Sequence, residues 1–549
     1  MAEVTSQAGQ LDLEAKGGKR RLVIIGLLLG LFFSSLDQTV VGTAMPTIIG
    51  QLGHIELLTW ITTAYLLTST SVVPIAGKLA DVFGRRSLYL IGMVVFIIGS
   101  ALCGAADSMI QLTIYRGIQG IGGGMLMPLA MTIIGDITTG ESRAKFQGMF
   151  MAVFGLSSVL GPQLGGWIVD YWSWNWIFYI NLPFGVLATI FIWIGLGNSF
   201  EKKKVVIDYA GIVTMIIAIV SLLLALSLGG KDYGWTSWQI IALFISFVVF
   251  SLVFLYVESR AKDPILPLYL FKNRIFTIVI LIGFLMSLGM FGALTFSPLL
   301  MQGVVGMSAT KAASVMTPMM FGMIATSILG SRLLLKVGLR PMLIGGMGIM
   351  VIGFLLFSQL GLDTTQLSAS MVMIVLGLGM GMIMPSLGIA VQEAFPMEIR
   401  GTVTSSTTFF RSIGGTVGIA LLGAVFNHRS VADIGNQLDP VLSQMGPNSE
   451  KLLDMAHNNP QGLYSSLLSP DFLQALPKPV AEMFNTSVTP ILKDSLLDSL
   501  HALYHVSIWF CVAGLVVALF TGKVKFSGNP RGAGGKKDAA SSAQPAAQE

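Results

Sequence analysis

Asp37 stands inside the apolar stretch from Leu22 to Ala44, which holds no other charged residue. A carboxylate at bilayer depth is costly and ordinarily marks an ion or substrate pathway. The alternative is a structural polar contact between helices. At about 100° per residue, Gly26, Gly30, Ser34, Asp37 and Val41 share one narrow arc. Such a small-residue stripe packs against other helices and turns the carboxylate toward protein or water, away from lipid. Arg116 is a second charge inside an apolar span, on a face with Thr113, Gly120, Gly123 and Met127. Desolvation favours the neutral form of a carboxylic acid, whereas a nearby cation favours the ionised form. Asp37 is therefore the candidate proton carrier, and Arg116 the group that sets its balance. Arg411 is a third such charge, sharing a polar face with Thr404, Thr407, Thr408, Gly415 and Gly418. It reads either as an inter-helix contact to backbone carbonyls or as a substrate or coupling residue. Gln38, beside Asp37, is a further candidate for that second role.

The elements that must hold these residues are membrane helices. The 549-residue chain is 53% hydrophobic and 11% charged, with a mean hydropathy of +0.76. Those values exclude a soluble globular protein and fit an all-α polytopic membrane protein. Its net charge of +5 does not imply nucleic acid, because the basic residues are scattered over short loops, where they report orientation. Cys103 and Cys511 both fall in apolar spans without metal-ligand neighbours. No disulfide framework, metal or cofactor is expected. Lys19, Arg20 and Arg21 precede a full-length span without a small-residue cleavage site, so a first span is expected here and no cleaved leader.

Apolar windows of about 20 residues, enough to cross a bilayer, begin near Leu22, Leu57, Leu88, Gln111, Gln147, Trp176 and Ala210. Seven more begin near Ser237, Arg274, Lys311, Arg340, Ser368, Gly401 and Leu500. This even number puts both termini on one side, and Lys16, Lys19, Arg20 and Arg21 predict that side to be cytoplasmic. Most other lysines and arginines then also fall in cytoplasmic segments, and only Arg116 and Arg411 lie within spans.

The chain also repeats itself. Gly124–Pro128 in span four recurs as Gly381–Pro385 in span twelve, and Glu141-Ser142-Arg143 recurs at the same spacing as Glu398-Ile399-Arg400. Gly77 to Arg86 is echoed by Gly330 to Arg340. Several matches in register indicate duplication. The expected organisation is a tail at 1–21, a six-helix half at 22–198 and an inserted helix pair with linkers at 199–273. A second six-helix half follows at 274–522, containing an outside loop at 427–499, and a tail at 523–549. Two six-helix halves around a midplane site describe a secondary transporter.

With these residues in view, the sequence resembles the major facilitator superfamily, and within it the fourteen-helix drug–proton antiporter branch of the QacA/EmrB type. Gly77-Lys78-Leu79-Ala80-Asp81-Val82-Phe83-Gly84-Arg85-Arg86 is similar to the superfamily's cytoplasmic loop motif. Arg116-Gly117-Ile118-Gln119-Gly120 resembles the fourth-helix arginine motif, and Gly161-Pro162-Gln163-Leu164-Gly165-Gly166 the fifth-helix antiporter motif. Leu36 to Val41 with Met45-Pro46, Trp174 to Gly185 and Phe410 to Gly418 resemble motifs of the fourteen-helix branch. The resemblance spans Leu22 to about Val425. It implies the major facilitator fold with two inserted helices, and export of amphiphilic compounds in exchange for protons. Asn175 departs from the pattern, standing where an arginine is usual between the tryptophans.

Physical reasoning gives these motifs work to do. Asp81, with Arg85 and Arg86 across a short loop, can form charge-assisted hydrogen bonds that latch one conformer, while Gly77 and Gly84 permit close backbone approach. Gly161, Gly165 and Gly166 around Pro162 suit tight helix packing and a kink. The resemblance implies that this segment seals against leak during exchange. Thirty methionines suit an adaptable cavity, and the shortage of mid-span acids favours monocationic, zwitterionic or neutral amphiphiles over dications. In the long outside loop, Val480, Met483, Phe484, Val488, Ile491, Leu492 and Leu496 form an apolar helical face interrupted by Pro490. That face is read as a cover over the outer mouth or an interfacial segment, either a gate or a stabilising lid.

The leading expectation is a monomeric proton-coupled exporter of amphiphilic compounds in a bacterial inner (plasma) membrane, with protons, small substrates and lipid as its partners. A second is export of an endogenous lipid or metabolite. A third, from another class, is a membrane receptor or scaffold that has lost transport; the titratable Asp37 argues against it. Enzymatic activity is not expected, since no nucleotide loop, metal cluster or nucleophile constellation occurs.

Overall fold

Backbone polar groups cannot be left unsatisfied in hydrocarbon, so apolar spans resolve as helices that bond internally. The computed structural model describes residues 17–52, 57–138, 140–197, 207–230, 233–307, 309–437, 486 and 488–522. Most of the long outside loop, the linker before the inserted pair and the C-terminal tail lie outside them, as do Val480, Met483 and Phe484.

Six helices form the first half: α1 (Gly17–Leu52), α2 (Leu58–Phe83), α3 (Arg85–Gly104), α4 (Met109–Ile137), α5 (Gly140–Tyr171) and α6 (Asn181–Gly195). A short turn of helix, Trp176–Tyr179, leads into α6. The inserted pair is α7 (Tyr209–Leu228) and α8 (Trp238–Arg260). The second half comprises α9 (Arg274–Leu299), α10 (Ala309–Val337), α11 (Leu339–Phe357), α12 (Gln366–Ala394), α13 (Arg400–Gln437) and α14 (Thr489–Leu519). Among the described residues, thirteen helices are each long and apolar enough to cross a bilayer. The fourteenth span is α5, whose parts Gly148–Ser158 and Gln163–Tyr171 meet at a 40° bend. Pro162 ends the break between them, where a missing backbone donor loosens the helix. Polar side chains start several helices: Ser108 caps α4, Asp208 caps α7 and Asn273 caps α9, while Thr365 and Ser368 make a capping box on α12.

Packing follows the sequence repeat. In the first half α2 and α3 pack on α4, α1 packs on α5 and α6, and α3 on α6. The same set recurs in the second half as α10 and α11 on α12, α9 on α13 and α14, and α11 on α14. The halves meet along two seams, α2 against α13 and α5 against α10, which the repeat makes equivalent. The inserted helices pack on each other, with Ser221 and Ser246 hydroxyls 2.9 Å apart. Helix α7 makes the main contact with the bundle, touching both α2 and α13. There Val73, Met215, Ile219, Phe254 and Phe409 form a separate apolar cluster.

The outside loop expected at 427–499 is helical at both ends. Helix α13 runs on to Gln437 and α14 begins at Thr489, and the Ser430 hydroxyl donates to that of Ser499 at 3.0 Å. Pro490 does not interrupt a helix. It lies in the first turn of α14, where its missing N–H has no intrahelical partner to lose. Val488, Leu492 and Leu496 are fully buried in the main core, so this part of the apolar face is the packing face of the last span.

Candidate functional site

The arc predicted for α1 is realised in its packing. Gly26 lies against α6 beside Ala188 and Ile192, and Gly30 against Tyr89 and Met93 of α3. Asp37 thereby enters the interior of the first half, its side chain 0% exposed beside that of Arg116 at 2%. Arg116 Nη1 donates to Asp37 Oδ2 at 2.6 Å. The other oxygen, Oδ1, accepts from Gln119 Nε2 and Asn181 Nδ2, each at 2.9 Å. Arg116 also donates to Gln119 Oε1 at 2.7 Å. Ser100 ties the amides together, accepting from Gln119 at 3.1 Å and Asn181 at 3.0 Å while donating to the Phe178 carbonyl at 2.9 Å. The guanidinium lies over the Tyr65 ring, 4.3 Å from its centroid, a cation–π contact that helps offset its burial. Five segments thus converge on one carboxylate. Their approach needs small residues: at Gly99 a Cβ would come within 2.6 Å of the Gln119 backbone nitrogen.

Three donors on two oxygens suit an ionised carboxylate. The network is nevertheless incomplete. Arg116 Nε and Asn181 Oδ1 are buried without a hydrogen-bond partner. These idle groups are next to the pair and can take up new bonds if it rearranges. Gln38, by contrast, is exposed; it bonds weakly back to the Ser34 carbonyl at 3.4 Å and interacts with the Tyr65 hydroxyl.

A second charged network closes the end of the bundle that carries the basic loops. Asp81, at the end of α2, accepts from the backbone nitrogens of Gly401 at 3.0 Å and Thr402 at 2.7 Å, and from the Thr402 hydroxyl at 2.8 Å. It therefore sits on the N-terminus of α13, where exposed amides and the helix dipole favour an anion. Arg85 bonds Asp81 at 3.2 Å, Asp136 at the end of α4, and the Met397 carbonyl of the opposite half. Arg400 approaches Asp136 at 3.7 Å and donates to the Gln392 carbonyl at 2.9 Å. Gly84 separates α2 from α3 at φ 89, a conformation glycine adopts without strain. Arg86 turns away from this seam and donates to the Trp193 carbonyl of α6 at 2.7 Å. That bond acts within the first half.

Gly77 faces Ser405 and the Gly401 carbonyl, and an added Cβ would lie 2.6 Å from that oxygen. Gly77→Ala is thus expected to wedge α2 from α13 at a cost of about 1–3 kcal/mol. Spin labels placed across the seam should report a larger population with this end open; an unchanged distance distribution would contradict the packing argument.

In α5, Gly161 and Gly165 rest against Thr39 and Thr43 of α1, while Gly166 meets nothing within 4 Å. The motif thus binds α5 to the helix that carries Asp37. Arg411 lies apart from both networks, between α4, α12 and α13, with Met384 and Met127 sulfurs as its neighbours.

Sequence reasoning selected Asp37, Arg116, Asp81 and Arg85 but not Ser100, Gln119, Asn181, Asp136 or Arg400. Polar amides in apolar spans were the available signal for Gln119 and Asn181. For Asp136, the signal was Glu393 at the equivalent repeat position.

The fold and this pattern of buried charge define a membrane transporter. The chain belongs to the Major Facilitator Superfamily, whose family model matches residues 27–419; this is a family of transporters, not of enzymes. It is 53% identical over 522 residues to the multidrug transporter protein MdtP of Bacillus subtilis, covering 94% of this chain and 96% of that one. It is 38% identical to multidrug resistance protein 3 of the same organism, covering 93% and 97% of the two chains. Among solved structures, the human organic anion transporter MFSD10 superposes with a TM-score of 0.57 at 14% identity, over 89% of this chain and 99% of that one. The proton:xylose symporter XylE gives 0.54 at 15%, over 86% and 96%. Both share the fold.

Proposed function

We propose that the protein is a proton-coupled multidrug efflux antiporter that exports lipophilic and amphiphilic compounds by alternating access, as a monomer in a bacterial plasma membrane. The observation that carries this reading is the buried Asp37–Arg116 pair in a chain so similar to named multidrug transporters. The basic end is taken as cytoplasmic, in keeping with the bias of lysine and arginine to that side. With that end latched shut through Asp81 and α13, the cycle is read from a state closed to the cytoplasm in which Asp37 is ionised. A proton arriving from outside neutralises Asp37 and releases its hold on Arg116, whose freed donors turn to the Tyr65 ring and neighbouring polar groups. Rearrangement of α1 and α4 loosens the seams, the halves rock, and the cytoplasmic side opens. There Asp37 loses its proton, substrate binds, and the cycle returns.

Asp37 is enclosed within one half, so in this reading it carries the proton without holding substrate. That separation supports the preference for monocationic, zwitterionic or neutral compounds over dications. The test is dye transport in inverted vesicles. An imposed acid-inside gradient should drive dye accumulation that collapses when a protonophore is added. Accumulation indifferent to the gradient would refute proton coupling.

A further inference from the structure

Arg411 is midway between the two charge networks and belongs to neither. Along α4, Met127 lies about 16 Å beyond Arg116 and about 14 Å short of Asp136, so the carboxylates of those networks are out of reach. Its terminal nitrogens point instead at thioethers, Nη1 at Met384 Sδ (3.1 Å) and Nη2 at Met127 Sδ (3.8 Å). These are weak acceptors for a strong, permanently charged donor. No carboxylate among the described residues forms an ion pair with it.

Beside the guanidinium is a small cavity walled by Met131 of α4, Gly283 of α9, Leu387 of α12 and Thr404, Thr407 and Thr408 of α13. Helix α4 belongs to one half and the others to its counterpart, so the cavity lies where the halves part. The part-buried guanidinium has no anion beside it among the described residues, and partial loss of water without an anionic partner is costly to the fold. An arriving carboxylate would offset that cost through paired, charge-assisted bonds. The Thr407 and Thr408 hydroxyls now donate to the Val403 and Thr404 carbonyls, at 2.9 and 3.0 Å, and can rotate toward the same ligand. Met127, Met131 and Met384 supply a deformable apolar wall for the remainder of an amphiphile.

We propose that Arg411 binds the anionic headgroup, a carboxylate above all, of an amphiphilic substrate. The inference rests on the export reading above and extends its substrate class from monocationic, zwitterionic and neutral compounds to anionic ones. Dansylated undecanoic acid and its methyl ester share a skeleton and differ in this charge. Their binding to the purified full chain in detergent, near neutral pH, is read by dansyl fluorescence. Wild type should bind the acid about tenfold or more tighter than the ester. Arg411→Gln should remove most of that ratio, and Arg411→Lys, which keeps the charge without the planar fork, should retain an intermediate one. A wild-type ratio near one overturns the proposal whether or not the variants fold, and so does a ratio that Arg411→Gln leaves unmoved. Because binding needs no gradient, this result is distinct from a failure of gradient-driven dye transport, which would count against proton coupling alone.

Discussion

Asp37→Asn is expected to reduce gradient-driven dye accumulation in inverted vesicles to background. Asparagine preserves the shape of the side chain and can still meet Gln119 and Asn181, so the fold is kept. It cannot titrate, and it leaves Arg116 buried beside a neutral partner. Breaking a buried pair from one side costs about 3–5 kcal/mol, so the variant should also unfold at a lower temperature in detergent. That second effect could by itself explain lost transport, and the double variant Asp37→Asn, Arg116→Gln separates the two. Removing both charges should recover much of the thermal stability while leaving accumulation at background. If the double variant regained gradient-driven transport, Asp37 would be a structural residue and the proton carrier would have to be sought elsewhere.

Asp81→Asn should lower efflux about tenfold or more at near-normal expression, through the conformational equilibrium alone. Hydrogen bonds to a charged group contribute about 1.5–3 kcal/mol each, and Asp81 accepts three from the start of α13 besides pairing with Arg85. Removing its charge weakens all of them together. A loss of about 3 kcal/mol moves a two-state ratio about a hundredfold. The conformer closed at the basic end should therefore cease to dominate, and spin-label distances across the α2–α13 seam should lengthen. Wild-type efflux with a wild-type distance distribution would sink the latch.

The architecture was largely legible because a hydrocarbon solvent leaves the chain few choices. Fourteen spans, the repeat and the inward aim of Asp37 follow from hydropathy, spacing and a stripe of small residues. Helix α5 is the least regular span, since Gly161 and Pro162 fall where it bends. The partners of Asp37 were harder to read. Gln119 and Asn181 reach it across 82 and 144 residues of sequence, and only the packing of α1, α4 and α6 brings them together. Arg86 misled for the opposite reason. Adjacent to Arg85 in a motif, it donates to the Trp193 carbonyl of α6, whereas Asp81 at the seam is held by Arg85, Gly401 and Thr402. Pro490 misled because a proline that breaks a helix interior is at home in its first turn, and nothing local distinguishes the two positions.

The inserted pair does more than lengthen the chain. Helix α7 straddles the α2–α13 seam, and α8 packs on α7 while leaving Trp238, Ile245, Leu252 and Tyr256 exposed on its outer side. Under the alternating access proposed above, α7 must release one half or slide when this seam parts, and α8 moves with it through the surrounding acyl chains. Each turnover therefore displaces lipid as well as cargo. The bilayer is a moving part of this transporter, and its fluidity and thickness enter the energy of the stroke.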